Sequence, residues 1–182
     1  MEVNREFVRV YREMKEYQKA KEICQILFHD TITFHGMNHP RTLRTKNLFA
    51  TCFLDIEDYE SSLKLLEECY TQCTEMFGEK DQRTLSTVSN IASCYEKIGK
   101  IDDAIRMYEE VYEIKRVKLG ETHQYTLITK LNLARNYRQQ GFPKKALELF
   151  RSVHECFKKL HGVSHPNTIN VNDNIRMCMD ML

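Results

Sequence analysis

Apolar residues recur along this chain at the spacing of amphipathic helices. Leu133, Ala134 and Tyr137 lie at i, i+1 and i+4, which is one face of a helix with 3.6 residues per turn. A second face, at i, i+3, i+4 and i+7, consists of Ala146, Leu149, Phe150 and Val153. Gly141 and Pro143 separate the two faces, as expected for the end of one helix and the start of the next. This stretch therefore predicts two antiparallel helices, A and B.

The same pattern returns with a constant step of 42 residues. The clearest series are Thr42-Leu43, Thr84-Leu85, Thr126-Leu127 and Thr168-Ile169, and the glycines Gly36, Gly78, Gly120 and Gly162. A further series is His39, Asp81, His123 and His165. A fixed period of this length indicates stacked structural repeats. Residues of equal phase share a structural role, so candidate functional residues are those whose identity the repeat does not explain.

The repeat divides the chain into helix pairs. The predicted A helices lie near residues 2–15, 40–56, 82–98, 124–140 and 166–182, and the B helices near 17–34, 59–76, 101–118 and 143–160. The corresponding units are approximately 1–36, 37–78, 79–120 and 121–162, with a terminal helix over 163–182. We predict an all-α fold in one domain, 1–182, built as a right-handed solenoid of about four antiparallel helix pairs plus a final capping helix.

Two sequence signatures connect the chain with a known family. Asn132-Leu133-Ala134-x-x-Tyr137, followed by Ala146 and Phe150, resembles the tetratricopeptide repeat, although that repeat usually has about 34 residues. His39-Pro40-Arg41-Thr42-Leu43 and His165-Pro166-Asn167-Thr168-Ile169 are similar to the long repeats of kinesin light chains, which also occur in nephrocystin-like and nucleotide-switch proteins. Asp81-Gln82 in place of His-Pro, and Asn136 within a cysteine series, depart from the pattern. The resemblance implies a non-catalytic protein-binding module.

The two ends differ from the middle of the chain. The first unit lacks the His-Pro-x-Thr motif, and the last helix closes on the apolar sequence Met177-Cys178-Met179-Asp180-Met181-Leu182. Solenoid ends normally present a polar outer face. We therefore expect these ends either to be cut from a longer array or to be covered by a partner, and the alternative is that the last helix is itself the cap.

Composition narrows the functional classes. The net charge of +1 gives no general attraction to nucleic acid or acidic membranes, and no apolar run approaches the 18 residues of a membrane span. The first residues carry no signal-peptide pattern. Seven cysteines, an odd number, are scattered through helical positions and are interpreted as buried free thiols. We therefore expect a cytoplasmic protein without nucleic-acid or membrane partners.

No motif in the sequence predicts catalysis. All six glycines and three prolines occupy turns of the repeat, so none remains for a phosphate-binding loop. The pairs His35/His39 and His161/His165 have metal-ligand spacing, but zinc needs three or four converging ligands, and a turn-capping role for the second histidine is the favoured interpretation. Cys69/Cys73 and the acidic pairs Glu67-Glu68 and Glu109-Glu110 are interpreted as core and solvated positions. We expect no enzyme activity, metal or cofactor.

The candidate site follows from the resemblance, because A helices line the inner, concave surface of tetratricopeptide solenoids. The inward positions carried over from the family are Arg5, Arg9, Arg44, Asn47, Thr51, Ser89, Ser93, Lys97, Leu131 and Arg135. Small residues leave room for a guest chain, asparagine offers a donor and an acceptor, and arginine suits carboxylates. We predict a peptide partner with acidic residues and an aromatic or leucine anchor. The alternative that Arg5, Arg9 and Arg12 only solvate a terminal helix stays open.

Three functions compete at this point. The leading prediction is an adaptor or scaffold that binds a peptide segment in the concave groove. One alternative is self-association, in which the methionine-rich last helix stacks against another copy. Another is a sensor or regulatory segment of a larger signalling protein. Asn90, Asn132 and Asn174 share a phase nearer the core and are predicted to form hydrogen bonds between helices.

Overall fold

The computed structural model describes residues 2–182, with side chains from residue 5 onward. All regular secondary structure in this part of the chain is α-helical. The helices are α1 (Glu2–Glu13), α2 (Tyr17–His35), α3 (Pro40–Asp55), α4 (Tyr59–Phe77), α5 (Gln82–Lys97), α6 (Ile101–Leu119), α7 (Gln124–Gln139), α8 (Pro143–His161) and α9 (Pro166–Met179). Odd-numbered helices are the predicted A helices, and even-numbered helices are the B helices. Each begins at the predicted residue, and the largest difference is at the end of α9, which stops before residue 182.

The beginnings of the later A helices are fixed by side-chain caps. His39, Asp81, His123 and His165 adopt extended backbone conformations, and each side chain accepts a hydrogen bond from the backbone N–H two residues later. These bonds satisfy amide groups that have no partner inside the helix. The predicted capping role of the histidines is confirmed. Asp81 performs the same task with a carboxylate, which explains why the series tolerates this exchange.

The A helices end in a left-handed residue that recurs with the same period. The positive φ angles are 61° at Lys15, 64° at Glu57, 83° at Gly99 and 87° at Gly141. The next backbone N–H then bonds five residues back, as in Asp58 to the carbonyl of Phe53 at 3.0 Å. This is the Schellman arrangement, which favours glycine because a Cβ atom is strained there. Two of the four ends use glycine and two do not.

The Thr-Leu series is explained by packing. The hydroxyl of Thr42 donates to the carbonyl oxygen of Gly36 at 2.8 Å, and Thr84 and Thr168 repeat this bond to their own preceding glycines. Leu43 beside it is buried. The threonine thus ties the starts of α3, α5 and α9 to the ends of the preceding B helices, and it belongs to the structure rather than to the site.

The chain forms two compact units. The first extends to Ile98 and contains α1 to α5, and the second is Gly99–Leu182 with α6 to α9. Within each unit consecutive helices pack against each other, and neighbouring A helices also touch, α3 with α5 and α7 with α9. The core of the first unit includes a cluster of Val8, Ala20, Cys24, Phe49 and Cys52. The A helices of each unit therefore present a continuous face, which we call the A-face.

Candidate functional site

An asparagine pair connects two A helices at the centre of the first A-face. The side-chain amide of Asn47 on α3 donates to the hydroxyl of Thr87 on α5 at 2.6 Å, and its carbonyl oxygen accepts from the amide of Asn90. Both polar ends of Asn47 are thus engaged within the protein. Asn90 forms the bond between helices that the sequence predicts. Asn47 fixes the spacing of α3 and α5, although the sequence placed it among residues that face a guest.

The small residues of this face bond to their own helices. The hydroxyl of Thr51 donates to the carbonyl oxygen of Leu48 at 2.8 Å, and that of Ser89 donates to Leu85 at 2.9 Å. Ser93 bonds to the carbonyl oxygen of Ser89 at 3.2 Å. All three bonding side chains are half-buried. Because these donors are used internally, the hydroxyl oxygens remain as acceptors for a guest, and the short side chains leave space above the helices.

The cations of the first A-face differ in how far their charge is compensated. Arg9 forms ion pairs on its own helix with Glu6 at 2.8 Å and Glu13 at 3.7 Å. Arg5 is half-buried. Arg44 and Lys97 are exposed, and neither forms an ion pair within the described side chains. The charges of Arg44 and Lys97 are therefore the ones available to an acidic guest on this face.

A half-buried ion pair joins α1 to α3 on the same face. The Nε of Arg12 lies 2.5 Å from Oδ2 of Asp55, and an Nη atom lies 3.2 Å from Oδ1. Burial lowers the pKa of Arg12, and the hydrogen bond and charge of Asp55 outweigh this effect, so the net pKa is raised. Such bidentate geometry is specific as well as strong. Arg12 therefore holds Asp55, and the prediction that it solvates a terminal helix is wrong for this arginine.

Two arginines define the A-face of the second unit. An Nη atom of Arg135 donates to the side-chain oxygen of Asn170 at 2.9 Å, and one of Arg138 donates to that of Asn174 at 2.8 Å. Leu131 lies half-buried on the same helix. These bonds orient the two guanidinium groups through the neutral side-chain oxygens of the asparagines. Sequence reasoning identified Leu131 and Arg135 and missed Arg138, whose phase is not an inward position of the family.

Three lysines are buried outside the predicted site. The ammonium group of Lys46 lies 2.7 Å from Glu68, and that of Lys130 lies 2.6 Å from Glu121. Lys115 donates to the hydroxyl of Thr129 at 3.0 Å, and burial lowers its pKa to about 8. The first two lysines connect A helices to neighbouring acidic groups and are structural. None of the three was assigned a role from the sequence. Lys46 and Lys130 share a phase, but Val88 holds this place in the unit between them, and Lys115 aligns with Cys73 and Phe157.

The histidine pairs and the cysteine pair are close contacts without a third ligand. The rings of His35 and His39 stack at 4.5 Å, as do those of His161 and His165. The sulfur atoms of Cys69 and Cys73 lie 3.9 Å apart in the core. Among the described residues, no group of three or more His, Cys, Asp or Glu side chains is placed to hold a metal ion. In the same part of the chain, no helix is long and apolar enough to cross a bilayer.

These features define a class of helix-pair repeat protein, with capped A helices, glycine-terminated B helices and a 42-residue period. The tetratricopeptide repeat family model matches residues 41–116 and 81–159. The chain belongs to the tetratricopeptide repeat family, whose members are typically non-catalytic protein-interaction modules. Curated protein sequences give no match.

Solved structures share the fold over almost the whole chain. The kinesin light chain from Podosopora anserina, described as having nearly identical TPR-like repeats, is 20% identical, with a TM-score of 0.75 over 99% of this chain and 85% of that one. BtubC (BKLC) from P. vanneervenii is 13% identical, with a TM-score of 0.76 over 96% of this chain and 69% of that one. The apo form of RapI is 17% identical, with a TM-score of 0.66 over 95% of this chain and 65% of that one. The predicted all-α fold and kinesin light chain-like repeat type are confirmed.

Proposed function

We propose that the chain is an adaptor or scaffold that binds an acidic peptide segment of a partner protein on the concave A-face of its repeats. The observation that carries the proposal is the contrast among the cations of the first A-face. Arg44 and Lys97 are exposed without ion pairs among the described side chains, whereas Arg9 and Arg12 are compensated. A carboxylate gains most from cations whose charge is not already neutralised.

The first A-face supplies cations at the edge and acceptors in the middle. Ser89, Ser93 and Thr51 carry hydroxyl oxygens that accept hydrogen bonds from the backbone N–H groups of an extended guest. Asn47 positions α3 against α5 rather than contacting the guest. Backbone bonds of this kind give affinity with little sequence preference, so Arg44 and Lys97 supply the selection for acidic side chains.

The second A-face supplies a different combination. Arg135 and Arg138 bond to neutral amides one turn apart on α7, and Leu131 precedes Arg135 by one turn. When a carboxylate of the peptide pairs with these arginines, a leucine or aromatic side chain of the same peptide can contact Leu131. This combination favours acidic peptides with one apolar anchor over peptides that are only acidic.

The test is a binding titration with defined peptides. A fluorescent peptide containing several Glu residues and one Leu is compared with the same peptide in which every Glu is replaced by Gln. We expect the Glu peptide to bind more tightly, and we expect Arg44→Glu with Arg135→Glu to weaken it by about tenfold or more. The control is Arg151→Glu on the B helix α8, which is exposed and outside both A-faces. If the Glu peptide binds equally to wild type, to the Arg44→Glu and Arg135→Glu variant and to the control, the proposal is wrong.

A second candidate function is self-association through the terminal helices. Apolar side chains are exposed at both ends of the chain, including Phe7 and Met14 on α1 and Ile169 and Met179 on α9. Exposed apolar clusters on a repeat end favour association with another surface. A molar mass that rises with concentration in light scattering supports this function, and a concentration-independent monomer removes it.

The location that fits these properties is the cytoplasm. All seven cysteines are free thiols, and six of them are buried, with Cys156 half-buried. Reduced, buried thiols are typical of reducing compartments. Expression of the tagged chain in a reporter cell, followed by imaging and fractionation, tests this assignment.

A further inference from the structure

One face of α9 is uncovered where the other A helices are covered. Leu43 on α3 and Leu127 on α7 are 2% and 0% exposed because α4 and α8 pack over them. Ile169 has the same phase on α9 and is 50% exposed. Tyr137 on α7 is 4% exposed, whereas Met179 at the equivalent position is 55% exposed. Ile169 and Met179 are the apolar ends of this exposed surface of α9, which we call the α9 face.

The α9 face differs from the other A helices at its centre. Ala50 and Ala134 are fully buried where their helices approach the following B helix, and the hydroxyl of Ser62 on α4 donates to the carbonyl oxygen of Ala50 at 2.9 Å. Arg176 occupies this phase on α9 and is exposed. The side chain of Arg176 is too large for a B helix to approach α9 as closely as α4 approaches α3 at Ala50 and Ser62. The α9 face therefore suits an element that meets a cation, not another B helix of the usual kind.

The charges between the apolar ends of the α9 face are self-complementary. Asp173 is exposed and lies three residues before Arg176, so the two side chains share one flank of α9. A two-fold axis perpendicular to a helix reverses its direction and brings the same flank of both copies together. With the axis crossing α9 near residue 174, Arg176 of each copy lies opposite Asp173 of the other, and Ile169 lies opposite Met179. Two favourable charge pairs then border two apolar contacts.

We propose that the α9 face is a docking surface for a second copy of this chain, with the two α9 helices antiparallel about a two-fold axis. The proposal rests on self-association, the second function proposed above, and gives it a defined interface. The closed symmetry uses each α9 face completely, so assembly stops at the dimer. The first A-face stays outside this interface, since Arg44 lies on α3, and of the second A-face only the α9 helix takes part.

The test is a charge exchange measured by sedimentation velocity over a wide range of concentration. Arg176→Asp and Asp173→Arg each place like charges opposite each other twice, so each should raise the dimer dissociation constant by about tenfold or more. The double variant should return it to within about threefold of the wild-type value, because the pairs are re-formed with exchanged signs. Met179→Lys should also weaken the dimer, because it removes an apolar contact. Arg151→Asp on α8 is the control and should leave it unchanged.

The possible outcomes separate the interface from self-association itself. A wild-type chain that stays monomeric at all concentrations overturns both. A dimer that both single charge variants leave intact overturns the α9 interface and leaves self-association through another surface. Two weakened single variants without recovery in the double variant overturn the antiparallel arrangement. Thermal unfolding of each variant shows that the fold is retained.

Discussion

The ammonium group of Lys115 on α6 lies 3.0 Å from the hydroxyl of Thr129 on α7, and no acidic group is paired with it among the described residues. Lys115 is only 4% exposed. Burial removes water from the charge without supplying a carboxylate, so the pKa falls to about 8. The second unit therefore contains a lysine whose protonated form opposes folding.

The first prediction is that Lys115→Met stabilises the protein at neutral pH. The folded pKa of about 8 is below the value of 10.5 for an unburied lysine, so the unfolded chain binds this proton more tightly. The penalty is complete below pH 8 and is relieved as the pH rises toward 10.5. The substitution removes a penalty of about 2 kcal/mol, since one pKa unit corresponds to about 1.4 kcal/mol and packing losses offset part of it. Thr129 still bonds to Tyr125, so no donor is stranded.

The measurement is urea unfolding of wild type and variant at pH 7 and pH 9.5. The wild type should gain stability relative to Lys115→Met as the pH rises. Lys64→Met, at an exposed position of α4, is the control and should change little. A variant that is less stable than wild type at pH 7 would show that the ammonium group is better accommodated than its burial implies.

A second prediction concerns the left-handed residues that end the A helices. Glu57 has a φ of 64°, and Gly141 holds the equivalent place in the second unit. Glu57→Gly should stabilise the protein by about 0.5 kcal/mol, because relief of backbone strain exceeds the added freedom of the unfolded chain. Gly141→Glu should destabilise it by about 1 kcal/mol for the same reason. Thermal unfolding checks both, and opposite signs for the two variants are the expected result.

A third prediction uses the one acidic cap in the histidine series. Asp81→Ala should cost about 1 kcal/mol, because the N–H of Arg83 loses its acceptor at 2.9 Å. Asp81→His should retain most of this stability at pH 8, since His39 and His165 accept the same bond through Nδ1. A protonated imidazole has no acceptor, so the histidine variant should weaken below pH 6 more than wild type. If the stabilities of Asp81→His and wild type fall equally as the pH is lowered, the cap does not depend on an unprotonated Nδ1.

A fourth prediction concerns the ion pair of the first A-face. Asp55→Asn should destabilise the protein by about 1 to 2 kcal/mol, because it leaves the partly buried guanidinium of Arg12 without its bidentate partner. Arg12→Met with Asp55→Asn should lose less than the sum of the two single changes. A double-mutant cycle by urea unfolding measures this coupling. Additive effects would mean that the pair contributes no net interaction.

The helices could be predicted from sequence, and most of the contacts between them could not. Several helices start at a residue that carries a local signal, such as Pro40 after His39 or Pro143 after Gly141, and the period extends these signals to the remaining helices. Local signals of this kind need no knowledge of the fold. The period even identified Asn90 as a residue that bonds between helices.

The site was less accessible to sequence reasoning, because its contacts depend on side-chain direction. Asn47 bonds to Thr87, 40 residues away, and Arg138 bonds to Asn174, 36 residues away. Both separations are near one repeat, yet neither equals the period of 42, since the rotamers decide which neighbour is reached. The phase of a residue shows which face it occupies and leaves open whether its polar group is already used.

NMR titration of the labelled chain with the Glu-and-Leu peptide shows whether acidic peptides bind on the A-faces. Binding there should concentrate the shifts on backbone amides of α3, α5 and α7 and on the guanidinium signals of Arg44 and Arg135, and the all-Gln peptide should produce little change. Shifts concentrated on the B helices α4, α6 and α8, or equal shifts with both peptides, would contradict binding of acidic peptides on the A-faces.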